Sequence, residues 1–400
     1  MQFTFSDRMA NMNGTATREI FKLLSRPEII SFAGGLPATE ALPTQAVQEI
    51  AQDVLGRDDA FRLLQYGTTE GYAPLQDEAV KLAQAFGVQL RDTSSVLILS
   101  GGQQGIDLMC KSFLNKGDVV LVEDPTYLAA LQIFHSYEAV AIGVRACNEG
   151  LDTDDLEQKI QTYKPKFLYT VPTFSNPTGK TYTAENRVQI SRITAKYGLP
   201  VLEDDPYARL RFSGEKVNAL YSFAQEDNVV YQMSFSKILS PGLRVGAAIG
   251  NADVIRKMAV GKQGTDLHTS LPAQAVTAEY CRRGLLEPSV QKSLPLYHAR
   301  KQAMMRGIER YMPAEFTHTD PDGGLFVWGA FEGTRLNTQA LLHKAVARNV
   351  AYIQGNVFYA DGGGANTVRL NYSNASEQKI DEGMRALGTF FKEEIAKERK

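Results

Sequence analysis

The stretch Val229-Val-Tyr-Gln-Met-Ser-Phe-Ser-Lys237-Ile-Leu-Ser-Pro-Gly-Leu-Arg244 decides how the chain folds. Residues 229–235 are β-branched and apolar, the composition of a buried strand. Ser234 and Ser236 close it, Lys237 follows at once, and Ser240-Pro-Gly breaks the chain before Arg244. Desolvation at the mouth of a buried strand can lower a lysine pKa from about 10.4 towards roughly 7–8, where the amine attacks carbonyls as a Schiff-base nucleophile. The same run, taken alone, also fits a surface lysine that opens a loop. The remaining sequence has to choose between them.

A chain of 400 residues exceeds the roughly 250–300 at which one core stops growing, so two lobes are expected. Apolar residues make up 44% and charged residues 22%, which fits a globular enzyme rather than a disordered or membrane-embedded chain. A formal net charge of -2 argues against a nucleic-acid or anionic-membrane partner. Cys110, Cys147 and Cys281 are too widely spaced for a metal or CxxC motif. They suit a reducing compartment, and with no signal-peptide pattern at the N-terminus and no bilayer-length apolar run the expected location is cytoplasmic.

Outward from residue 229, short apolar runs alternate with helical stretches. Candidate strands are 96–99, 119–122, 139–142, 167–171, 200–203, 229–235 and 245–249, and candidate helices include 105–113, 184–197 and 273–283. Near-continuous apolar strands separated by helices predict a mostly parallel seven-stranded sheet covered on both faces, an α/β architecture. From about residue 285 the texture changes to a long basic helix at 290–311, strands at 324–331, 350–353 and 367–372, and a final amphipathic helix at 377–397. The expected domains are therefore a large one at 45–284 and a smaller α+β one formed by 1–44 with 285–400.

Ligands of open α/β sheets bind at the carboxyl ends of the strands. The unusual residues of this chain follow those ends. Ser100-Gly-Gly-Gln-Gln-Gly105 combines glycines with a helix start, a cradle for phosphate that is neither Walker A nor GxGxxG. Tyr127 in Glu123-Asp-Pro-Thr-Tyr127 brings a ring, Asn176 in Asn176-Pro-Thr-Gly179 an amide, and Asp204 in Asp204-Asp-Pro-Tyr207 a carboxylate that needs a partner if buried. Each has an ordinary structural reading as a turn, a core ring or a cap. Together they supply a phosphate cup, a stacking ring, a buried acid and a nucleophilic lysine, which is the set pyridoxal phosphate requires.

In order, these motifs resemble the fold-type I pyridoxal phosphate-dependent aminotransferases of class I/II, and the resemblance covers nearly the whole chain. It rests on Gly101-Gly-Gln-Gln, Asp124-Pro-Thr-Tyr127, Asn176-Pro-Thr-Gly, Asp204-Asp-Pro-Tyr207, Ser234-Phe-Ser-Lys237 with Pro241-Gly-Leu-Arg244, and Arg369. The resemblance implies that Lys237 carries the Schiff base and then the proton. It implies that Asp204 pairs with the pyridine nitrogen, that Tyr207 and Asn176 hydrogen-bond the phenolic oxygen, and that Tyr127 stacks on the ring. Gly102, Gln103, Ser234, Ser236 and Arg244 would hold the phosphate. Arg369 would grip the substrate α-carboxylate with its two-pronged fork. Tyr66 would reach the phosphate of a neighbouring subunit, making the enzyme a homodimer with shared sites, and residues 265–270 would lie at the same interface.

Ser31-Phe-Ala-Gly-Gly-Leu-Pro37 and Thr15-Ala-Thr-Arg18 narrow the likeness to the 2-aminoadipate and broad-specificity aromatic and branched-chain subgroup. By that resemblance Arg18 binds a distal carboxylate and swings away for apolar side chains, while Gly35 lets the backbone approach the substrate. The implied activity is amino transfer between an L-amino acid and a 2-oxo acid, 2-oxoglutarate on one side, by a ping-pong scheme. A lyase or decarboxylase on the same fold and a non-catalytic pyridoxal phosphate sensor are the competing readings. A MocR-type regulator is not expected, because only about a dozen residues precede the Thr15–Arg18 match and basic residues are not in excess.

Overall fold

The structure is a computed structural model that describes residues 3–10, 26 and 28–399. After β1 (Ile30–Ser31) come the strands β2 (Ser94–Leu99), β3 (Val119–Asp124), β4 (Val140–Arg145), β5 (Phe167–Thr170), β6 (Val201–Asp205), β7 (Val229–Ser234) and β8 (Gly246–Asn251). The last seven form one sheet in the order β2-β8-β7-β6-β5-β3-β4. Every residue of β5, β6 and β7 is buried, whereas the edge strand β4 is exposed at both ends. Helices on both faces therefore explain why the central strands are continuously apolar rather than alternating.

Pairing is parallel from β4 through β3, β5 and β6 to β7. β8 runs antiparallel to both β7 and β2. Only residues 235–245 join β7 to β8, too short for the crossover of a dozen or more that a parallel return needs. The chain must turn back instead, and Lys237 rides on that turn. Three differences from the sequence-based expectation are informative. β6 continues through Asp204 and Asp205, so the acid belongs to the strand and not to the loop after it. The helix Gly102–Phe113 begins three residues earlier than expected, which puts Gly102 and Gln103 in its first turn. The expected strand at 350–353 is split, because its first half pairs with β1 and its second half with the far side of another sheet.

That second sheet follows the long helix Leu286–Tyr311. It comprises β9 (Phe316–His318), β10 (Phe326–Phe331), β12 (Ile353–Gln354) and β13 (Thr367–Asn371), with β11 (Val350–Ala351) set apart beside β1. β1 pairs in parallel with β11, and the Asn371 N–H donates to the Phe32 carbonyl. The N-terminal segment is thereby stitched to this lobe and led towards the large sheet.

Two main apolar cores result. The large one surrounds the seven-stranded sheet, and the second gathers Phe32, Met304, Phe331, Tyr352 and Phe391. Leu286, Val290 and Tyr297 of the long helix pack into the first core, while Met304 and Ile308 of the same helix pack into the second. One rigid rod thus joins both lobes. A third small cluster, including Ala33, Leu128, Trp328 and Phe358, closes the seam between them. Among the described residues no helix is long and apolar enough to cross a membrane.

Candidate active site

The carboxyl ends of the parallel strands open into a cavity of about 310 Å³ roofed by the segment from Ala33 to Leu36 and by Phe326 and Arg369 of the second lobe. Gly35, Gly102, Gln103, Tyr127, Asn176, Asp204, Tyr207, Ser234, Ser236, Lys237, Arg244 and Arg369 all line it. Twelve of the fourteen residues singled out from the sequence therefore meet in one place. Tyr66 does not. It is 78% exposed and meets the His268 ring edge-on, with centroids 5.9 Å apart. Arg18 lies outside the described residues.

Asp204 sits at the floor. Its Oδ1 accepts from Gln232 Nε2 at 2.8 Å and its Oδ2 from the Tyr169 hydroxyl at 2.9 Å. Neither partner carries a positive charge, and burial pushes the carboxyl up to about 6. A buried acid with only neutral donors is a site for a cation. Sequence reasoning missed both donors because each looks like one more member of a core strand. The available signal was Gln232, an amide in the middle of the apolar β7. Gln232 fits only because residue 105 is glycine, since a Cβ there would stand 1.7 Å from its Oε1.

Lys237 projects from the β7–β8 turn, and its Nζ donates to the Gly35 carbonyl at 2.7 Å. Burial first, then the positive charges of Arg369 and Arg244, push its ammonium down to about 8. Arg369 is 4% exposed. Its Nη1 donates to Asn176 Oδ1 at 2.8 Å and its Nη2 to the carbonyls of Ala33 and Gly34 at 2.7 and 3.0 Å. The guanidinium lies over Phe326, 4.3 Å from the ring centroid, and among the described residues its Nε has no hydrogen-bond partner. A buried guanidinium held by neutral acceptors, with its Nε–H left over, is poised for a carboxylate. Burial of Tyr207 raises its hydroxyl pKa, keeping it a neutral donor.

The expected phosphate cup is built around Gly101, which takes φ +84 at the head of the helix Gly102–Phe113 and offers no side-chain cap. Arg244 Nη2 donates to the Ser100 carbonyl at 3.3 Å, and a Cβ on Gly101 would stand 2.5 Å from that nitrogen. Glycine is therefore needed on two counts, conformation and close approach. The free N–H groups of a helix start, two serines and an arginine form an anion site. A cationic ring nitrogen at Asp204, an aldehyde near Lys237 and a phosphate at the cup are all accommodated, so the residues present fit pyridoxal phosphate.

Sheet, strand-end cavity and donor set define a fold-type I pyridoxal phosphate enzyme. The family model described as "Aminotransferase class I and II" matches residues 27–387, and the chain belongs to that family. Aromatic-amino-acid aminotransferase 1 of Thermococcus litoralis is 38% identical over 400 residues, covering 98% of this chain and 95% of that protein. A kynurenine aminotransferase from Pyrococcus horikoshii, solved in complex with PMP, is 38% identical with a TM-score of 0.93, covering 98% of this chain and 97% of that one. LysN, an α-aminoadipate aminotransferase from Thermus thermophilus solved with N-(5'-phosphopyridoxyl)-L-leucine, is 37% identical with a TM-score of 0.90 and 98% of each chain covered. The protein is a transaminase.

The depressed lysine has a measurable consequence. Only the neutral amine attacks a carbonyl, and its fraction rises about tenfold per pH unit below the pKa and then levels off. The rate at which apo-protein captures pyridoxal phosphate should climb with pH and reach a plateau just above 8, the value to which Lys237 is pushed. Stopped-flow absorbance reads this directly. A rate still climbing steeply through pH 10 would show that burial leaves the amine unchanged.

Proposed function

We propose that this transaminase moves the amino group of 2-aminoadipate, aromatic or branched-chain L-amino acids to 2-oxoglutarate by a ping-pong scheme. The observation that carries the reading is Arg369, buried, flanked by neutral acceptors and left, among the described residues, with an unpartnered Nε in the cavity that also holds the Lys237 amine. That arrangement suits a substrate whose carboxylate and α-amino group arrive together.

Bound at this site, pyridoxal phosphate supplies a carbonyl for the amine and an electron sink in its protonated ring. The residues supply the rest. Asp204 would hold its charge against the ring nitrogen, and Gln232 and Tyr169 keep that carboxylate in place. Tyr127 would cover the ring face, while Tyr207 and Asn176 would donate to the phenolic oxygen. Gly102, Gln103, Ser234, Ser236 and Arg244 would hold the phosphate. Lys237 Nζ would carry the substrate Cα proton, and its low pKa suits it to accept one near neutrality. Arg369 and Asn176 orient the α-carboxylate, which fixes the bond presented for cleavage. The Ala33 and Gly34 carbonyls hold the Arg369 guanidinium and the Gly35 carbonyl holds the Lys237 amine, which places both cations on one side of the cavity.

The reading extends to a homodimer in which the exposed Tyr66 of one copy completes the phosphate site of the other, to a division into lobes 45–284 and 1–44 with 285–400, and to a cytoplasmic setting. Arg18 is assigned to a distal carboxylate. A panel of amino donors against 2-oxoglutarate, run with wild type and Arg18→Ala, tests substrate and role together. Glutamate and the new 2-oxo acid should form in equal amounts, and the variant should lose about tenfold or more on 2-aminoadipate, as when one charged contact is removed, with leucine and phenylalanine spared. Release of carbon dioxide or ammonia without glutamate would overturn the transfer reading. An equal loss on both donor classes would make Arg18 structural.

A further inference from the structure

Behind the phosphate cup lies a polar cluster centred on the buried Lys262 that none of the roles above uses. We propose that Lys262 and Asp266 are positioning residues that brace the 100–104 turn from behind in the shape that receives the cofactor phosphate. The inference rests on the reading of Gly102, Gln103, Ser234, Ser236 and Arg244 as that phosphate's site.

Lys262 stands near the end of the helix Ala252–Gln263, and its side chain has no exposed surface. Its Nζ donates to Gln104 Oε1 at 2.7 Å, to both Asp266 oxygens at 2.9 Å and to Thr269 Oγ1 at 3.0 Å. Asp266 Oδ2 in turn accepts from Ser100 Oγ at 2.6 Å and from Gln104 Nε2 at 2.8 Å. Gln104 Oε1 also accepts from the Ser100 N–H at 2.8 Å. With Arg244 on its carbonyl, Ser100 has its N–H, hydroxyl and carbonyl all held. The two side chains at the ends of the turn, Ser100 and Gln104, are thus tied to one ion pair.

The turn needs such support because it lacks the usual one. A helix start is normally shaped by an N-cap side chain that accepts from the first N–H groups. Here the N-cap is Gly101, which makes no such bond and sits at positive φ. Leaving those N–H groups free is what an anion site requires, yet it removes the local device that fixes the loop. The cluster replaces it from the opposite side. Stability alone is a poor reason for a lysine this buried, since desolvation cancels most of the attraction in such pairs. Geometric definition of the turn is the contribution left.

Equilibrium affinities of apo-protein for pyridoxal 5'-phosphate and for pyridoxal, which lacks the phosphate, test this in wild type, Lys262→Met, Asp266→Asn and Arg244→Met. Both cluster variants should lose about tenfold or more in affinity for pyridoxal 5'-phosphate, the scale on which groups that orient a binding shell act, while pyridoxal affinity holds. The ratio of the two affinities cancels any general weakening of the fold. If Lys262→Met fails to fold, Asp266→Asn decides by itself, because Asp266 keeps 28% of its side chain exposed. An unchanged ratio in the cluster variants with a collapsed ratio in Arg244→Met would overturn the brace alone. An unchanged ratio in Arg244→Met as well would overturn the phosphate-site reading. Equal losses for both ligands would reduce the cluster to ordinary packing.

Discussion

Lys237→Ala should lower transamination by at least about 10⁴-fold, the upper end of what a positioned proton carrier contributes, because the same residue also provides the nucleophile. Its neighbours cannot take over. The nearby guanidinium groups of Arg369 and Arg244 are not amine nucleophiles, and carbonyls and Asn176 hold them in place. The fold should survive, since burial disfavours the ammonium and pushes it down to about 8, and its one hydrogen bond goes to the Gly35 carbonyl. Two measurements check this. Turnover should vanish, and borohydride should no longer fix the cofactor covalently to the protein. A variant that still forms a reducible link would move the nucleophile elsewhere.

Asp204→Asn should lower kcat by about 10²–10³-fold, as when a preorganised charge facing the reacting system is removed. The shape of the site should persist. Among the described residues Gln232 Oε1 is buried with no partner, so a turned Gln232 amide can accept from the new amide group. Charge, not packing, is then what the substitution changes. A pH profile separates the two. Burial pushes the wild-type carboxyl up to about 6, so cofactor affinity should fall as pH drops through that value and the negative charge is lost. In the variant this step should be absent. A kcat within about tenfold of wild type, well short of that loss, or an acid step that remains, would show that Asp204 is not the ring's partner.

Much of this site is legible in the sequence because it is encoded locally. A strand that must be buried on both faces reads as an unbroken apolar run, so the polar residues at its carboxyl end stand out. Gln103, Tyr127, Asn176, Asp204 and Lys237 are each found that way. The direction of β8 is also local, since residues 235–245 are too few to cross over. Boundaries are harder to read where a polar residue continues an element. Asp204 and Asp205 look like the start of a loop but extend β6, because Tyr169, Gln232 and Tyr231 supply hydrogen bonds that let carboxyls stay inside. The split at residues 350–353 is invisible for a different reason: two partners, β1 and β13, come from opposite ends of the chain.

By itself the sequence determined the mostly parallel sheet, the cofactor class and the residues at each strand end, because periodicity and connection length act over a few residues. Only the tertiary structure decided how those residues are tuned. Lys237 meets Gly35 across 202 residues, Arg369 meets Asn176 across 193, and Lys262 meets Gln104 across 158. The low lysine pKa, the raised Asp204 and the brace behind the phosphate turn all follow from desolvation and pairing between distant segments, and no local pattern carries that information.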